Sequence, residues 1–168
     1  MLEHFDWRIR HTRFRVNENS KKHAVLFLCT ANAARSQIAE GLLRKRAGAH
    51  FDVHSAGLKP EAIHPFALRV LDEIGVETVE LFPKQVKTFL GKLNVRHAIV
   101  LCEHVQSNCP RVFPFAIQQH YWPIEDPRAF SGTESEVFEK FREVRDQIDQ
   151  KIVTWLRSQG IPCGDLHS

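Results

Sequence analysis

Residues 25–36 of this 168-residue chain, VLFLCTANAARS, decide how the rest is interpreted. Four apolar residues of strand length run into Cys29, and small residues then lead to Ser36, which can cap a helix. The pattern predicts a strand, a tight loop and a helix start. Backbone N–H groups of such a loop, together with the unpaired donors of the first helical turn, form a cup that binds a tetrahedral oxyanion.

Cys29 and Arg35 give this cup its chemistry. A thiolate at a helix N-terminus beside a guanidinium is favoured over the thiol, so we expect Cys29 to have a lowered pKa and to act as a nucleophile. Arg35 can bind two oxygens of one anion. The alternative is a buried strand-end cysteine in a loop of ordinary packing. The nearby Arg35 argues against it, because a buried arginine needs an anionic partner.

Length and composition predict one domain with a hydrophobic core. The chain is 43% hydrophobic and 26% charged, which is ordinary for a globular protein. No segment approaches the ~20 apolar residues of a membrane span, and the N-terminus lacks the apolar core of a signal peptide. We therefore expect a cytoplasmic protein with no membrane partner. The net charge of +3 is too small to predict nucleic-acid binding, although it suits an anionic substrate.

The apolar patterns predict a single α/β domain in which helices flank a four-stranded parallel sheet of flavodoxin-like order. Strand and helix patterns alternate, which implies parallel pairing through right-handed crossovers. Strands are expected at residues 25–28, 51–57, 98–101 and 118–122. Helices are expected after Ser36, after His64 and from Thr133 or Glu134 to near Gly160, the last with a long apolar stripe.

We divide the chain into an N-terminal extension (1–22), the α/β domain (23–161) and a C-terminal tail (162–168). The extension interleaves basic and aromatic residues, a composition that could touch nucleic acid or an anionic surface. Its alternation also suits a segment packed on the domain or on a neighbouring subunit, or a poorly ordered arm. Cys163 in the tail is predicted to be an incidental thiol.

Cys102 and Cys109 form a second feature of interest. Cys102 follows the strand at 98–101, and ligands of parallel sheets bind beyond the carboxyl ends of the strands, so Cys102 and Cys29 should share one rim. The polar six-residue spacer could hold the two thiols apart when reduced and loop out when they form a disulfide. We therefore predict a redox-coupled rearrangement. The alternatives are inert core thiols or zinc bound with His104 or His120, although the close cysteine spacing of zinc sites is missing.

Asp126 precedes Pro127 in a loop that could fold over the cup. A carboxylic acid there could protonate the leaving oxygen of a bound oxyanion, provided that partial burial keeps its pKa up. Taken alone, an Asp-Pro pair is most often a turn initiator. Its interest comes from the cysteines and the loop that accompany it.

Together, the Cys29 loop, Cys102, Cys109, the Lys84 stretch and Asp126 resemble the thioredoxin-coupled arsenate reductase family, which has the low-molecular-weight tyrosine phosphatase fold. The resemblance covers about residues 22–161. It implies that Cys29 attacks arsenate, that Asp126 acts as the acid, and that Cys102 and then Cys109 complete the reduction. Phosphate and sulfate would compete with arsenate for the loop, and thioredoxin or glutaredoxin would reduce the disulfide. The implied oxyanion-binding residues are Thr30, Ala31, Asn32, Ala33, Ala34, Arg35 and Ser36.

The chain departs from this family at two positions. Ala34 stands where some members have a further cysteine, so a thiol there is dispensable to the chemistry. Some members bind potassium through residues that resemble Asn32, Glu40 and Ser55, but their aspartate is Gln85 here. We therefore expect no tightly bound cofactor or metal, and potassium is doubtful. Two other functions stay open: a tyrosine-phosphatase-type hydrolase, and a non-enzymatic module that binds oxyanions or senses redox state.

Overall fold

The computed structural model describes residues 22–102 and 115–166, and in it four parallel strands form one sheet. The spatial order is β2-β1-β3-β4, with β1 paired to both β2 and β3. The strands are β1 (His23–Cys29), β2 (Phe51–Gly57), β3 (Val95–Cys102) and β4 (Gln118–Ile124). The predicted α/β class and four-stranded parallel sheet are therefore confirmed. β4 runs past its predicted end and includes Pro123, which an edge strand tolerates because one side of its backbone needs no partner strand.

The side chains of β1 alternate between two hydrophobic clusters, as the period of a strand requires. Val25 and Phe27 pack among the helices, whereas Leu26 and Leu28 pack on the opposite face of the sheet. Both faces of the central strand are thus buried, which explains its unbroken apolar run.

Among the described residues, three helices contribute to the first of these clusters. They are α1 (Arg35–Ala47), α2 (Pro65–Asp72) and α3 (Glu134–Ser158). Helix α3 begins with a capping box between Thr133 and Glu136, and its predicted apolar stripe is buried from Phe141 to Leu156. Two single 3₁₀ turns, Val86–Thr88 and Pro127–Ala129, lie in the connections.

The order of the strands determines which edge of the sheet is the candidate functional edge. The chain leaves β1 toward β2 on one side and later returns to β3 on the other, so the crevice between β1 and β3 is a switch point of the topology. Cys29 and Cys102 end these two strands at that edge, as predicted.

Cys109, His104 and the predicted rearrangement fall outside the described residues, as does the extension up to residue 21. In the part of the chain that is described, no helix has the length and hydropathy of a membrane span.

Candidate active site

The loop after β1 lies on the end of β2, where there is no space for a side chain. A Cβ atom on Gly57 would stand 2.8 Å from both the Asn32 nitrogen and the Thr30 carbonyl oxygen. Asn32 adopts a left-handed backbone with φ of 49°, a conformation that asparagine tolerates better than most residues. Glycine in β2 and asparagine in the loop therefore make this close approach possible.

Residues 58–64 hold the loop from outside through its carbonyl groups. The N–H of Lys59 donates to the Thr30 oxygen at 3.0 Å, and the N–H of Glu61 donates to the Ala31 oxygen at 2.9 Å. The N–H of His64 completes the series at 2.8 Å from the Ala33 oxygen. Because these three carbonyls face the outer segment, the loop amides are left to face the cup.

Helix α1 begins at Arg35, two residues earlier than a cap at Ser36 would place it. The N-cap position is Ala34, and no side chain among the described residues caps it. Ser36 was expected to cap the helix but lies within its first turn, where its hydroxyl oxygen is 2.8 Å from the Cys29 sulfur. The capping prediction is wrong. An uncapped first turn leaves its amides available to an anion.

Cys29 is buried at the bottom of this loop, and its pKa is lowered to about 6. The largest cause is a hydrogen bond with Cys102; hydrogen bonds from Ser36 and the positive charge of Arg35 act in the same direction, while burial opposes them. The Asn32 N–H also points at the Cys29 sulfur, at 3.2 Å. A thiolate is thus available near neutral pH, as the sequence predicts.

Cys102 lies beside Cys29 in a shared buried cluster. Its pKa is raised above the usual range, first because its thiol is hydrogen-bonded to Cys29, and then because of its burial and the negative charge of that neighbour. The Thr30 hydroxyl donates to the Cys102 sulfur at 3.5 Å. The two cysteines therefore form one unit in which Cys29 is the thiolate and Cys102 is the thiol that stabilises it.

Arg35 is buried and faces the loop after β4. Its two terminal nitrogens donate to the Ile124 oxygen at 2.9 Å and to Asp126 Oδ2 at 3.0 Å. Its Nε–H has no hydrogen-bond partner within the described ranges 22–102 and 115–166. Buried donors without a partner are rare in proteins, and an oxyanion held beside Arg35 would supply one. The structure thus brings Arg35, Cys29, Cys102 and Asp126 to one edge of the sheet.

Asp126 lies between two guanidinium groups, which changes its expected protonation. Burial raises its pKa, but hydrogen bonds from Arg128 and the charges of Arg35 and Arg128 outweigh burial, and the net pKa is below the ordinary value. The expectation that burial keeps this pKa up is therefore wrong for the protein without a bound anion. Arg128 donates to both carboxylate oxygens, from Nε at 3.2 Å and from a terminal nitrogen at 2.9 Å.

Arg128 also joins Asp126 to the far side of the loop. Its other terminal nitrogen lies 2.8 Å from Glu61 Oε2, and Glu61 belongs to the segment that bonds the Ala31 carbonyl. Neither Arg128 nor Glu61 was predicted as a site residue. The one signal in the sequence is an arginine two positions after Asp126. Its other partner, Glu61, is 67 positions away along the chain, so the sequence pattern does not reveal the pair.

The rest of the predicted oxyanion loop is small and mostly buried. Ala31, Ala33 and Ala34 have almost no exposed surface, and Thr30 is exposed at the mouth.

Cys163 is half-buried and accepts a 3.3 Å hydrogen bond from Arg46, away from these residues. Across residues 22–102 and 115–166, no cluster of His, Cys, Asp or Glu side chains is suited to a metal ion.

The residues that resemble potassium ligands do not fit that ion here. Asn32, Glu40 and Ser55 lie together, but the ammonium of Lys84 is already among them. Its Nζ atom is 3.0 Å from Glu40 Oε2 and 2.8 Å from the Phe82 oxygen. A positively charged group thus fills the place beside the carboxylate that a cation would need.

The model of the low molecular weight phosphotyrosine protein phosphatase family matches residues 24–160. The chain belongs to that family. An arsenate reductase from Halalkalibacterium halodurans is 35% identical over 135 residues, which are 80% of this chain and 95% of the relative. The resemblance to arsenate reductases that the sequence suggested is confirmed.

Solved structures agree with this family membership. An arsenate reductase in the phosphate-binding state aligns with a TM-score of 0.66 and 27% identity, covering 81% of this chain and 98% of that one. The thioredoxin-dependent arsenate reductase of Corynebacterium glutamicum aligns with a TM-score of 0.62 and 31% identity. That alignment covers 83% of this chain but only 63% of the Corynebacterium chain.

Proposed function

We propose that this protein reduces arsenate to arsenite, with Cys29 as the nucleophile and Cys102 and Cys109 as successive partners. The observation that carries the proposal is the contact between the Cys29 thiolate and the Cys102 thiol inside an oxyanion-binding loop. Hydrolysis of a cysteinyl-phosphate by water needs no second thiol at that place. The similarity to proteins named arsenate reductase supports the same choice.

In the first step, the Cys29 sulfur bonds to arsenic and one arsenate oxygen leaves. The loop amides and Arg35 neutralise the oxyanion. Asp126 is ionised before substrate binds, because Arg35 and Arg128 surround it. A bound arsenate places negative charge beside Arg35, which offsets that guanidinium and raises the Asp126 pKa, so that Asp126 takes up a proton. It then protonates the departing hydroxide, which leaves as water.

In the second step, the Cys102 thiolate bonds to the Cys29 sulfur while the sulfur–arsenic bond breaks. The bonding electron pair goes to arsenic, which becomes arsenic(III) in arsenite, and the two cysteine sulfurs are oxidised to a disulfide. The structure suggests why the order is fixed. Cys102 stays protonated beside the Cys29 thiolate, and once Cys29 is bonded to arsenic that negative charge is gone, so Cys102 ionises more easily.

In the third step, the Cys109 thiolate attacks the Cys102 sulfur, which releases the Cys29 thiolate and leaves a disulfide between Cys102 and Cys109. A dithiol protein then reduces this disulfide by thiol–disulfide exchange. We propose thioredoxin as that protein, with glutaredoxin and glutathione as the alternative. No tightly bound cofactor enters the scheme, and the Lys84 ammonium supports a reaction independent of potassium.

The test is arsenite production by the full-length protein with thioredoxin, thioredoxin reductase and NADPH, run beside glutathione with glutaredoxin. Cys29→Ser should produce no arsenite. Cys109→Ser should release one equivalent of arsenite per protein and then stop in the thioredoxin assay. Normal repeated turnover by Cys109→Ser would contradict the three-cysteine scheme.

The shared loop and acid also suit a phosphatase, in which Arg35 would bind the anion and Asp126, 3.0 Å away, would donate the proton. An aryl phosphate assay separates the two functions. Under the reductase proposal, the variant lacking both Cys102 and Cys109 should make no arsenite in repeated turnover. Efficient aryl phosphate hydrolysis by that variant, together with no arsenite from the unaltered protein, would favour the phosphatase.

A further inference from the structure

A continuous chain of buried polar groups runs from Lys84 to the Cys29 sulfur. Lys84 Nζ lies 3.0 Å from Glu40 Oε2, and the same carboxylate oxygen accepts a short hydrogen bond from the Ser55 hydroxyl. Asn32 Nδ2 then lies 2.8 Å from Ser55 Oγ and 2.8 Å from Ser36 Oγ. Ser36 Oγ ends the chain, 2.8 Å from the Cys29 sulfur.

The orientation of the Asn32 amide in this chain is fixed by its other contacts. Its Oδ1 accepts from the Lys84 backbone N–H at 2.8 Å and from Gln37 Nε2 at 3.0 Å. Both partners are donors, so the oxygen of the amide must face them and its NH₂ group must face the two serines.

The direction of the other hydrogen bonds follows from the Glu40 carboxylate at one end and from the Asn32 amide in the middle. An ionised carboxylate only accepts, so Ser55 must use its proton on Glu40 and can only accept from Asn32. The Asn32 NH₂ group only donates, so Ser36 accepts from it and has its own proton left for Cys29. The Ser36 hydroxyl is thereby directed to donate to the thiolate.

The ammonium of Lys84 keeps this order in place. Glu40 is almost completely buried, with 1% of its surface exposed, and Lys84 pairs with the oxygen that receives the Ser55 proton. Without Lys84, this buried carboxylate oxygen loses its cationic partner, which is costly away from water, so no ion pair holds the oxygen against the Ser55 hydroxyl. Arg44, the other cation on Glu40, contacts the opposite oxygen.

We propose that Lys84 is a positioning residue for the nucleophile, because its ion pair with Glu40 holds the far end of the hydrogen-bond chain that ends at Cys29. The residue touches neither sulfur nor substrate and acts only through Glu40, Ser55, Asn32 and Ser36. The inference rests on Cys29 being the nucleophile of the proposed reaction, but its test reads the thiolate directly and needs no arsenate.

The first experiment measures the rate at which iodoacetamide alkylates Cys29 across pH, followed by mass spectrometry of the peptide that contains it. Lys84→Met removes the ammonium and keeps the length of the side chain. The midpoint of the alkylation curve should rise by about one pH unit, the size of one charge-assisted hydrogen bond. Lys87→Met, an exposed lysine three positions away, is the matched control and should leave the midpoint unchanged.

The groups of ionisable or fixed charge that face Cys29 stay the same in these variants. They are Cys102 from β3 and Arg35 from α1, and Arg35 in turn pairs with Asp126 after β4. A folded Lys84→Met protein whose midpoint equals that of the unaltered protein would overturn the proposal. If Lys84→Met does not fold, Lys84→Gln takes its place, since it keeps a donor beside Glu40 but not the charge, and the same rise is expected.

A double-mutant cycle with Ser55→Ala distinguishes the chain from a direct electrostatic effect of Lys84. Ser55→Ala breaks the chain in the middle and leaves the Lys84–Glu40 pair in place. If Lys84 acts through the chain, the Cys29 midpoint rises in Ser55→Ala, and adding Lys84→Met raises it little further. Fully additive shifts would show that Lys84 acts on Cys29 by another route and would contradict the proposal.

Discussion

The two sides of the Cys29 loop are built from different interactions. On the inner side, toward β2 and α1, Asn32, Ser36, Ser55 and Glu40 are at most 1% exposed and bond to one another in a fixed order. On the outer side, the side chains of Asp126, Arg128 and Glu61 are 22%, 26% and 64% exposed and interact as ion pairs. Buried polar networks are costly to disturb, whereas exposed ion pairs contribute little and rearrange easily.

This difference assigns separate tasks to the two sides. An arriving oxyanion adds negative charge, and the outer side can respond to it because Asp126 keeps a second cation, Arg128, when Arg35 binds the anion. The inner side holds the sulfur and its hydroxyl donor in position whether or not an anion is present. Changes on the inner side should therefore affect stability and the thiolate, and changes on the outer side should affect catalysis and pH dependence.

Asn32→Ala should give the largest effect, because Asn32 is the centre of the inner network. The substitution removes the side-chain hydrogen bonds that Asn32 makes with Ser55, Gln37 and the Lys84 N–H. It also places alanine in a left-handed backbone conformation. We expect the free energy of unfolding to fall by about 3 kcal/mol and kcat to fall by 10²-fold or more, roughly the cost of a misplaced nucleophile. Urea unfolding and the thioredoxin-coupled assay measure the two effects.

The control is Asn94→Ala, which removes an exposed asparagine and should change neither quantity. A stable Asn32→Ala protein with normal activity would mean that the inner side is not rigid, and the contrast between the two sides would fail.

Asp126→Asn should show the opposite behaviour on the outer side. We expect kcat to fall by about 10²-fold, as for loss of a general acid, with little change in stability. At neutral pH, inhibition by phosphate should become stronger by a fewfold, because an ionised carboxylate no longer competes for Arg35. Asp149→Asn is the matched control, since Asp149 on α3 pairs with Arg46 of α1 and its side chain has a similar exposure. Unchanged phosphate inhibition in Asp126→Asn would show that Asp126 does not occupy Arg35.

Gly57→Ala probes the contact between the loop and β2 with a smaller change. The added methyl group would lie 2.8 Å from two backbone atoms of the loop, which cannot move aside like a flexible side chain. We expect a loss of roughly 1–3 kcal/mol, the usual cost of overpacking, and a fall in kcat of about tenfold. Thermal unfolding of Gly57→Ala beside Gly132→Ala, which adds a methyl group near side chains in a surface turn, tests the rigidity of the inner side.

The sequence predicted the fold and the common edge of Cys29 and Cys102 because both are encoded locally. The apolar runs before Cys29 and Cys102 fix two buried strands, and parallel pairing then brings the cysteines to one edge. The role of Ser36 was misjudged, because a serine before an apolar run usually caps a helix. Only the position of the Cys29 sulfur shows that its hydroxyl has a different partner.

The outer side could not be predicted, because it depends on pairs that are far apart in sequence. Glu61 and Arg128 are separated by 67 positions, and Arg35 and Asp126 by 91. The low pKa of Asp126 follows first from Arg128, two positions away, and then from the distant Arg35, whereas burial alone would raise it. The family resemblance includes Lys84, but no local pattern predicts its ion pair, because its partner Glu40 lies on a different element.

Arg128→Gln should produce the smallest effect and tests the outer side by pH. Arg128 holds the Asp126 pKa below its ordinary value, so its loss raises that pKa. If Asp126 donates a proton in the first step, the alkaline limb of the kcat profile should move to higher pH in Arg128→Gln. A lowered carboxyl pKa stabilises the folded state above the unfolded pKa of about 4. This stabilisation is lost as pH falls through the folded value, so the variant should lose less stability than the unaltered protein below pH about 4.

Arg142→Gln is the control for this variant, because Arg142 also pairs with two carboxylates, Glu73 and Glu139, but on the surface between α2 and α3. It should leave the kcat profile in place. If Arg128→Gln also leaves the alkaline limb in place, the limb belongs to another group, and Arg128 serves only to join Glu61 to the loop after β4. A shift in Arg128→Gln alone would instead show that the exposed ion pairs control the proton while the buried network controls the sulfur.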